Sequence, residues 1–231
     1  MSSGSSSPIQ FDDPTCKGIE DKGTGDKGVV VPILMNFPPD KETIITRAIA
    51  LASELADRCV RQLIFSPYGP SPRLVLLLRD TFGLEPISWE RSAEEAWEVV
   101  GSIRERFETI QLRMKCTTFF YCGVAPSNLV DAVAWVTKGE PDTVHVLDAY
   151  FGLPDDRKMA VALIHEFVHV YNNLSPTGVS VGPGEDEAHP GMHVGSAYYG
   201  ERERYAQQSL SIETRAALAN PYCYQYFAEW L

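Results

Sequence analysis

One stretch constrains the fold more than any other: Met159-Ala160-Val161-Ala162-Leu163-Ile164-His165-Glu166-Phe167-Val168-His169. An unbroken apolar run leads straight into two histidines and a glutamate. A helix over this stretch puts Ala160, Leu163 and Ile164 on a core-facing side. The polar residues that continue the helix are then drawn into or beside that core. Burying two imidazoles and a carboxylate there without partners is unfavourable by several kcal/mol. The spacing offers the compensation. Histidines at i and i+4 stand one turn apart on one helix face, so both rings reach a single metal ion. Glu166 follows the first of them, where a carboxylate takes a proton from a water that zinc has made acidic and passes it on. The pattern predicts a zinc (Zn2+) site with His165 and His169 as ligands and Glu166 as general base and acid.

Catalytic zinc is ordinarily held by three protein groups, with one position left open. A metzincin would carry a further histidine six residues past His169, but Ser175 stands there, so that subclass is excluded. The remaining candidates are Asp186, Glu187, His189, His193, Glu201 and Glu203. A helix is expected over Glu201 to Leu210. On it Glu203 shares a face with Ala206 and Leu210, while Glu201 groups with Tyr205 and Gln208 and turns outward. Glu203 is therefore the first choice for the third ligand, with Glu201 and His193 as alternatives. Stabilising a developing oxyanion requires a donor besides the metal. Tyr198, Tyr199 and Tyr205 are the nearby phenols, and Tyr199 is the candidate.

The rest of the chain supplies a scaffold. Residues 1–28 are rich in Ser, Gly, Asp and Lys and lack apolar periodicity, so they read as a flexible arm ahead of a domain over 29–231. Val29 to Leu34 reads as an edge strand, because Pro32 removes a hydrogen-bond donor. Asp40 reads as the cap of a helix carrying Ile44, Ala48, Leu51, Leu55, Cys59 and Leu63. A shorter helix is expected over Arg73 to Phe82, ending at Gly83. Another follows the capping-box spacing Ser92-Ala93-Glu94-Glu95, with Trp97, Val100, Ile103, Phe107 and Ile110 on its core face. Thr117 to Cys122 and Thr143 to Leu147 read as strands, with His145 a satisfied core histidine on the second. The metal helix begins near Arg157 and runs to about Asn173, followed by a Gly/Pro-rich loop from Ser175 to Gly195. Tyr222 to Trp230 reads as a docking helix. Helices around a small sheet make an α+β class.

The net charge of −11 opposes nucleic acid or anionic lipid as a main partner. No run is long and apolar enough for a membrane span, and no classical secretory signal opens the chain as written. Cys16, Cys59, Cys116, Cys122 and Cys223 show no zinc-ribbon spacing.

The segment from Thr117 onward resembles the aspzincin metallopeptidases, the deuterolysin and lysine-specific endopeptidase group. Three stretches carry the resemblance. Thr143-Val144-His145-Val146-Leu147 and Tyr150-Phe151 precede the His165–His169 motif as a strand and an aromatic pair do in that family. Gly200-Glu201-Arg202-Glu203 lies where the family has Gly-Thr-x-Asp, whose Asp is the third zinc ligand. Tyr224-Gln225-Tyr226-Phe227-Ala228-Glu229 resembles the family's closing Tyr-Glu-Tyr-Phe-Ala-Glu. Glu203 thus replaces an Asp and Glu201 a Thr, and an alignment anchored on Tyr199-Gly200 would put Ser196 at the ligand position. The resemblance implies a zincin-like metallo-endopeptidase acting on proteins or peptides. Two alternatives share the motif: an effector-type metalloprotease with one protein target, and a catalytically inactive zincin fold that serves as a binding module.

Overall fold

The computed structural model describes residues 31–64, 70–82, 84, 93–124, 132–137, 140–174, 218 and 220–231. Its elements lie in the unit Pro32–Leu231. In chain order they are β1 (Ile33–Met35), α1 (Pro39–Leu63), α2 (Pro72–Phe82), α3 (Ala93–Cys116) and β2 (Thr118–Gly123). Then come β3 (Ala134–Thr137), β4 (Glu140–Leu147), a 3-10 turn (Asp148–Gly152), α4 (Asp156–Leu174) and α5 (Pro221–Trp230). This is the α+β arrangement the sequence predicts.

The strands form one mixed sheet in the order β1-β2-β4-β3, with β1–β2 and β2–β4 parallel and β3–β4 antiparallel. Pro32 explains both the place and the start of β1. The strand sits at an edge, and pairing begins one residue later, where the Ile33 N–H donates to the Thr117 carbonyl at 3.2 Å. The expected strand over Val29 to Leu34 is thus displaced toward Met35. Strand β3 is an addition to the sequence reading, because four residues are too short for alternation to stand out. Side-chain alternation buries Phe119, Ala134, Val136, Val144 and Val146 on one face.

Two helix details correct the sequence reading and a third refines it. At α1 the cap position is Pro38 and the helix starts at Pro39. Proline is favoured there because its missing N–H would be unpaired anyway, so Asp40 lies inside the first turn rather than at the cap. On α3 the core face uses Ala96, Val100, Ile103, Phe107, Ile110 and Met114, whereas Trp97 is 44% exposed. On α4 the helix opens at Asp156, since the Asp155 carboxylate accepts from the Lys158 N–H at 2.7 Å and so supplies the cap. The core face of α1 follows the expected period, with Ala48, Leu55, Cys59 and Leu63 fully covered.

Helix α4 is the hub. It packs on α1, α3 and α5 and on strands β3 and β4. Every residue from Met159 to Val168 is buried, and Phe167 meets Phe119 of β2 with ring centroids 6.0 Å apart. Helix α5 opens with the Asn220 side chain accepting from the Tyr222 N–H at 2.9 Å. At its other end the Arg157 guanidinium of α4 donates to the carbonyls of Ala228 (3.1 Å) and Glu229 (2.7 Å), groups that a helix end leaves unpaired. Lys158 adds an ion pair to Glu229 at 2.6 Å. Tyr224 and Phe227 of α5 pack edge-on or tilted against Phe82 and Phe107, which ties α2 and α3 into the same core. Tyr222 to Trp230 is therefore a docking helix, as expected.

Cys59 and Cys122 are free thiols, Cys223 is buried and Cys116 half-buried, and Cys16 lies outside the described residues. No helix among the described residues is long and apolar enough to cross a membrane.

Candidate metal centre

His165 and His169 stand one turn apart on α4, and their Nε2 atoms are 3.2 Å apart. The rings meet edge-on at 64° with centroids 5.0 Å apart. The distance itself is a test. Two nitrogens bound at 2.0–2.1 Å in a tetrahedral site are about 3.3 Å apart. The pair is therefore spaced as zinc requires.

Burial reinforces the fit. His165 is 8% exposed and Glu166 7%, while His169 is half-buried at the edge of the core. Desolvation, and then the neighbouring His169, hold the His165 pKa well below the usual imidazole range. His165 is thus a neutral imidazole with a lone pair to offer, the form in which histidine binds a metal. Glu166, next to His165 in the sequence, is likewise drawn into the protein rather than exposed on its surface.

Two residues beyond the sequence reading complete the surroundings of His165. Tyr222 packs edge-on against its ring at 4.3 Å. Gln225, 2% exposed, is a second buried neighbour, and its carboxamide acts against the downward shift of the imidazole pKa. As placed, His165 Nδ1 and Gln225 Nε2 are both buried without a hydrogen bond. They become complementary once the carboxamide turns its oxygen toward Nδ1–H. Such a bond would leave Nε2 without a proton, the arrangement found for most metal-binding histidines. The signal was present in the sequence: Gln225 is the one amide in the aromatic run from Tyr222 to Phe227, and it lies one turn from Tyr222.

Among the described residues, no group of three His, Cys, Asp or Glu side chains converges as a metal site. The expected third ligand Glu203, its alternatives Glu201 and His193, and Tyr199 all lie outside the described residues, as does the loop from Ser175 to Gly195.

No protein-family model matches the sequence, and no curated protein is similar to it. Solved structures do match. A zinc peptidase from Grifola frondosa superposes with a TM-score of 0.54 at 16% identity, over 84% of this chain and 96% of that one. The fold is that of a zinc peptidase. The likeness covers the helical hub and the small mixed sheet.

Proposed function

We propose that the protein is a zinc-dependent metallo-endopeptidase that hydrolyses peptide bonds. The observation that carries this reading is the convergence of His165 Nε2 and His169 Nε2 to 3.2 Å on a buried helix, with a buried carboxylate at the adjacent position. The shared fold supports it. His165 and His169 hold the metal, and Glu203 completes the set from the segment after α4. Bound zinc would supply a Lewis acid that acidifies water and polarises the scissile carbonyl.

The remaining work falls to the chain itself. Glu166 accepts the proton of the attacking water and delivers it to the leaving amine, the shuttle that a carboxylate beside a metal ligand can perform. Gln225 fixes the tautomer of His165, and Tyr222 fixes its ring plane. Tyr199 donates to the carbonyl oxygen as negative charge develops there. The substrate is a protein or peptide, and the acidic composition favours basic segments.

The test is Glu166→Gln assayed on an unfolded protein substrate, with metal content measured in parallel. Zinc retained and hydrolysis lowered about 100-fold or more is expected for loss of a general base. Full hydrolysis by the variant would exclude this mechanism.

A further inference from the structure

Strand alternation turns His145, Trp135 and Phe120 to the face of the sheet opposite Val144 and Val146. There a second set of polar groups meets, none of them used by the metal centre. Cys122 Sγ lies 3.5 Å from His145 Nδ1, and His145 Nε2 lies 3.2 Å from Glu140 Oε2. Trp135 stacks flat on the imidazole, 4.7 Å away and tilted by only 10°, and Phe120 meets it edge-on. The ring is therefore held in plane by its cross-strand neighbours on both sides.

The backbone explains why the thiol is there. The β2–β4 register slips between Tyr121 and Gly123, so Cys122 is the extra residue of a bulge, and Gly123 closes it at φ +75. Bulges of this kind redirect a side chain. Here Sγ is set against His145, with the Phe120 carbonyl as its other neighbour at 3.8 Å. The carboxylate of Glu140 only accepts, so it selects the tautomer with the proton on Nε2 and leaves Nδ1 free to take the thiol proton. Nucleophile, base and orienting carboxylate thus stand in a chain. Burial raises the Cys122 thiol, so its resting form is neutral and the base has a proton to remove. Access remains: Cys122 is half-buried, and the Glu140 side chain is 62% exposed.

We propose that Cys122 is a thiol–disulfide exchange site, with His145 as its base and Glu140 as the positioning residue, acting on low-molecular-weight disulfides. In the step, His145 Nδ1 takes the thiol proton as Cys122 Sγ attacks one sulfur of the disulfide. The old S–S bond breaks and a mixed disulfide forms on Cys122. The departing thiolate takes the proton back from Nδ1–H and leaves as a thiol. The Cys122 sulfur rises by one formal oxidation unit and the leaving sulfur falls by one, so no outside oxidant is needed. The site is independent of zinc, so its failure would leave the peptidase reading untouched.

The experiment follows adduct formation at pH 7 with glutathione disulfide and with 4,4′-dithiodipyridine, each thiol being mapped by peptide mass spectrometry. Wild type, His145→Gln and Glu140→Gln are compared. Cys122 should carry the first adduct, at a rate that falls about tenfold or more in His145→Gln. A smaller fall is expected in Glu140→Gln, whose surface position keeps the fold and the ring intact. Equal rates in wild type and Glu140→Gln, or in wild type and His145→Gln, would overturn the proposal. So would an adduct on Cys116 ahead of Cys122.

Discussion

Replacing Gln225 by leucine separates the metal site from the fold around it. Coordination through Nε2 obliges His165 to carry its proton on Nδ1, and Gln225 is the buried side chain beside that nitrogen. A leucine of similar volume leaves the N–H facing methyl groups, and an unmet buried donor costs about 1–3 kcal/mol. At roughly 1.4 kcal/mol per decade, zinc affinity should drop about 5- to 150-fold. That range overlaps the roughly 10–100-fold typical of lost outer-shell partners. In the metal-free protein the penalty changes form, because His165 can move its proton to Nε2 and donate to His169 across the 3.2 Å gap, which leaves Nδ1 an unmet acceptor instead of an unmet N–H. Against that, Gln225→Leu removes an amide nitrogen that is buried without a partner. Metal-free Gln225→Leu should therefore melt no lower than wild type, and an increase of a few °C would correspond to about 1 kcal/mol. Competition with a chromophoric chelator measures the affinity, and a thermal scan of the metal-free protein measures the fold. Zinc affinity within twofold of wild type would refute the role given to Gln225. A drop in affinity matched by an equal loss of metal-free stability would reduce that role to packing.

Two further outcomes rest on other parts of the fold. Asn220→Ala removes the side-chain cap of α5 and should lower stability by about 0.5–2 kcal/mol in urea with an unchanged m-value, whereas no change would mean that the cap contributes nothing. Tyr224 and Cys59 are buried acids whose pKa values desolvation raises, so the fold keeps both protons after the unfolded chain would release them. Their contribution is complete below the unfolded pKa values, about 8.5 for the thiol and 10 for the phenol, and is lost as pH rises beyond them. Stability should fall with increasing slope above about pH 9, and less steeply in Tyr224→Phe. A pH-independent stability across that range would contradict it.

What the sequence made legible follows from which interactions are local. Residues His165, Glu166 and His169 are set by helix geometry alone, so their spacing already implied the convergence the structure shows. The core face of α1 was readable for the same reason, since Ala48, Leu55, Cys59 and Leu63 share one helical stripe. Trp97 fits the helical period yet is 44% exposed, and its neighbour Ala96 takes the buried position on α3 instead. A lone amide among aromatics marks Gln225 in the sequence, but that it and Tyr222 meet His165 depends on how α5 crosses α4, which no local pattern encodes. The reading of His145 as a satisfied core residue was half right. It is partnered, but on the more open face of the sheet and by a thiol and a carboxylate. That arrangement depends on a bulge in β2 and on the short strand β3, and neither leaves a periodic signature.

The central claim is that the paired histidines of α4 hold catalytic zinc, and zinc stoichiometry tests it most directly. Wild type, His169→Gln and Glu203→Ala would be stripped with chelator, offered zinc, desalted and measured by elemental mass spectrometry. The account predicts about one zinc per wild-type chain, little in His169→Gln and weakened retention in Glu203→Ala. Wild type that takes up no zinc, or a His169→Gln variant that holds as much as wild type, would contradict it.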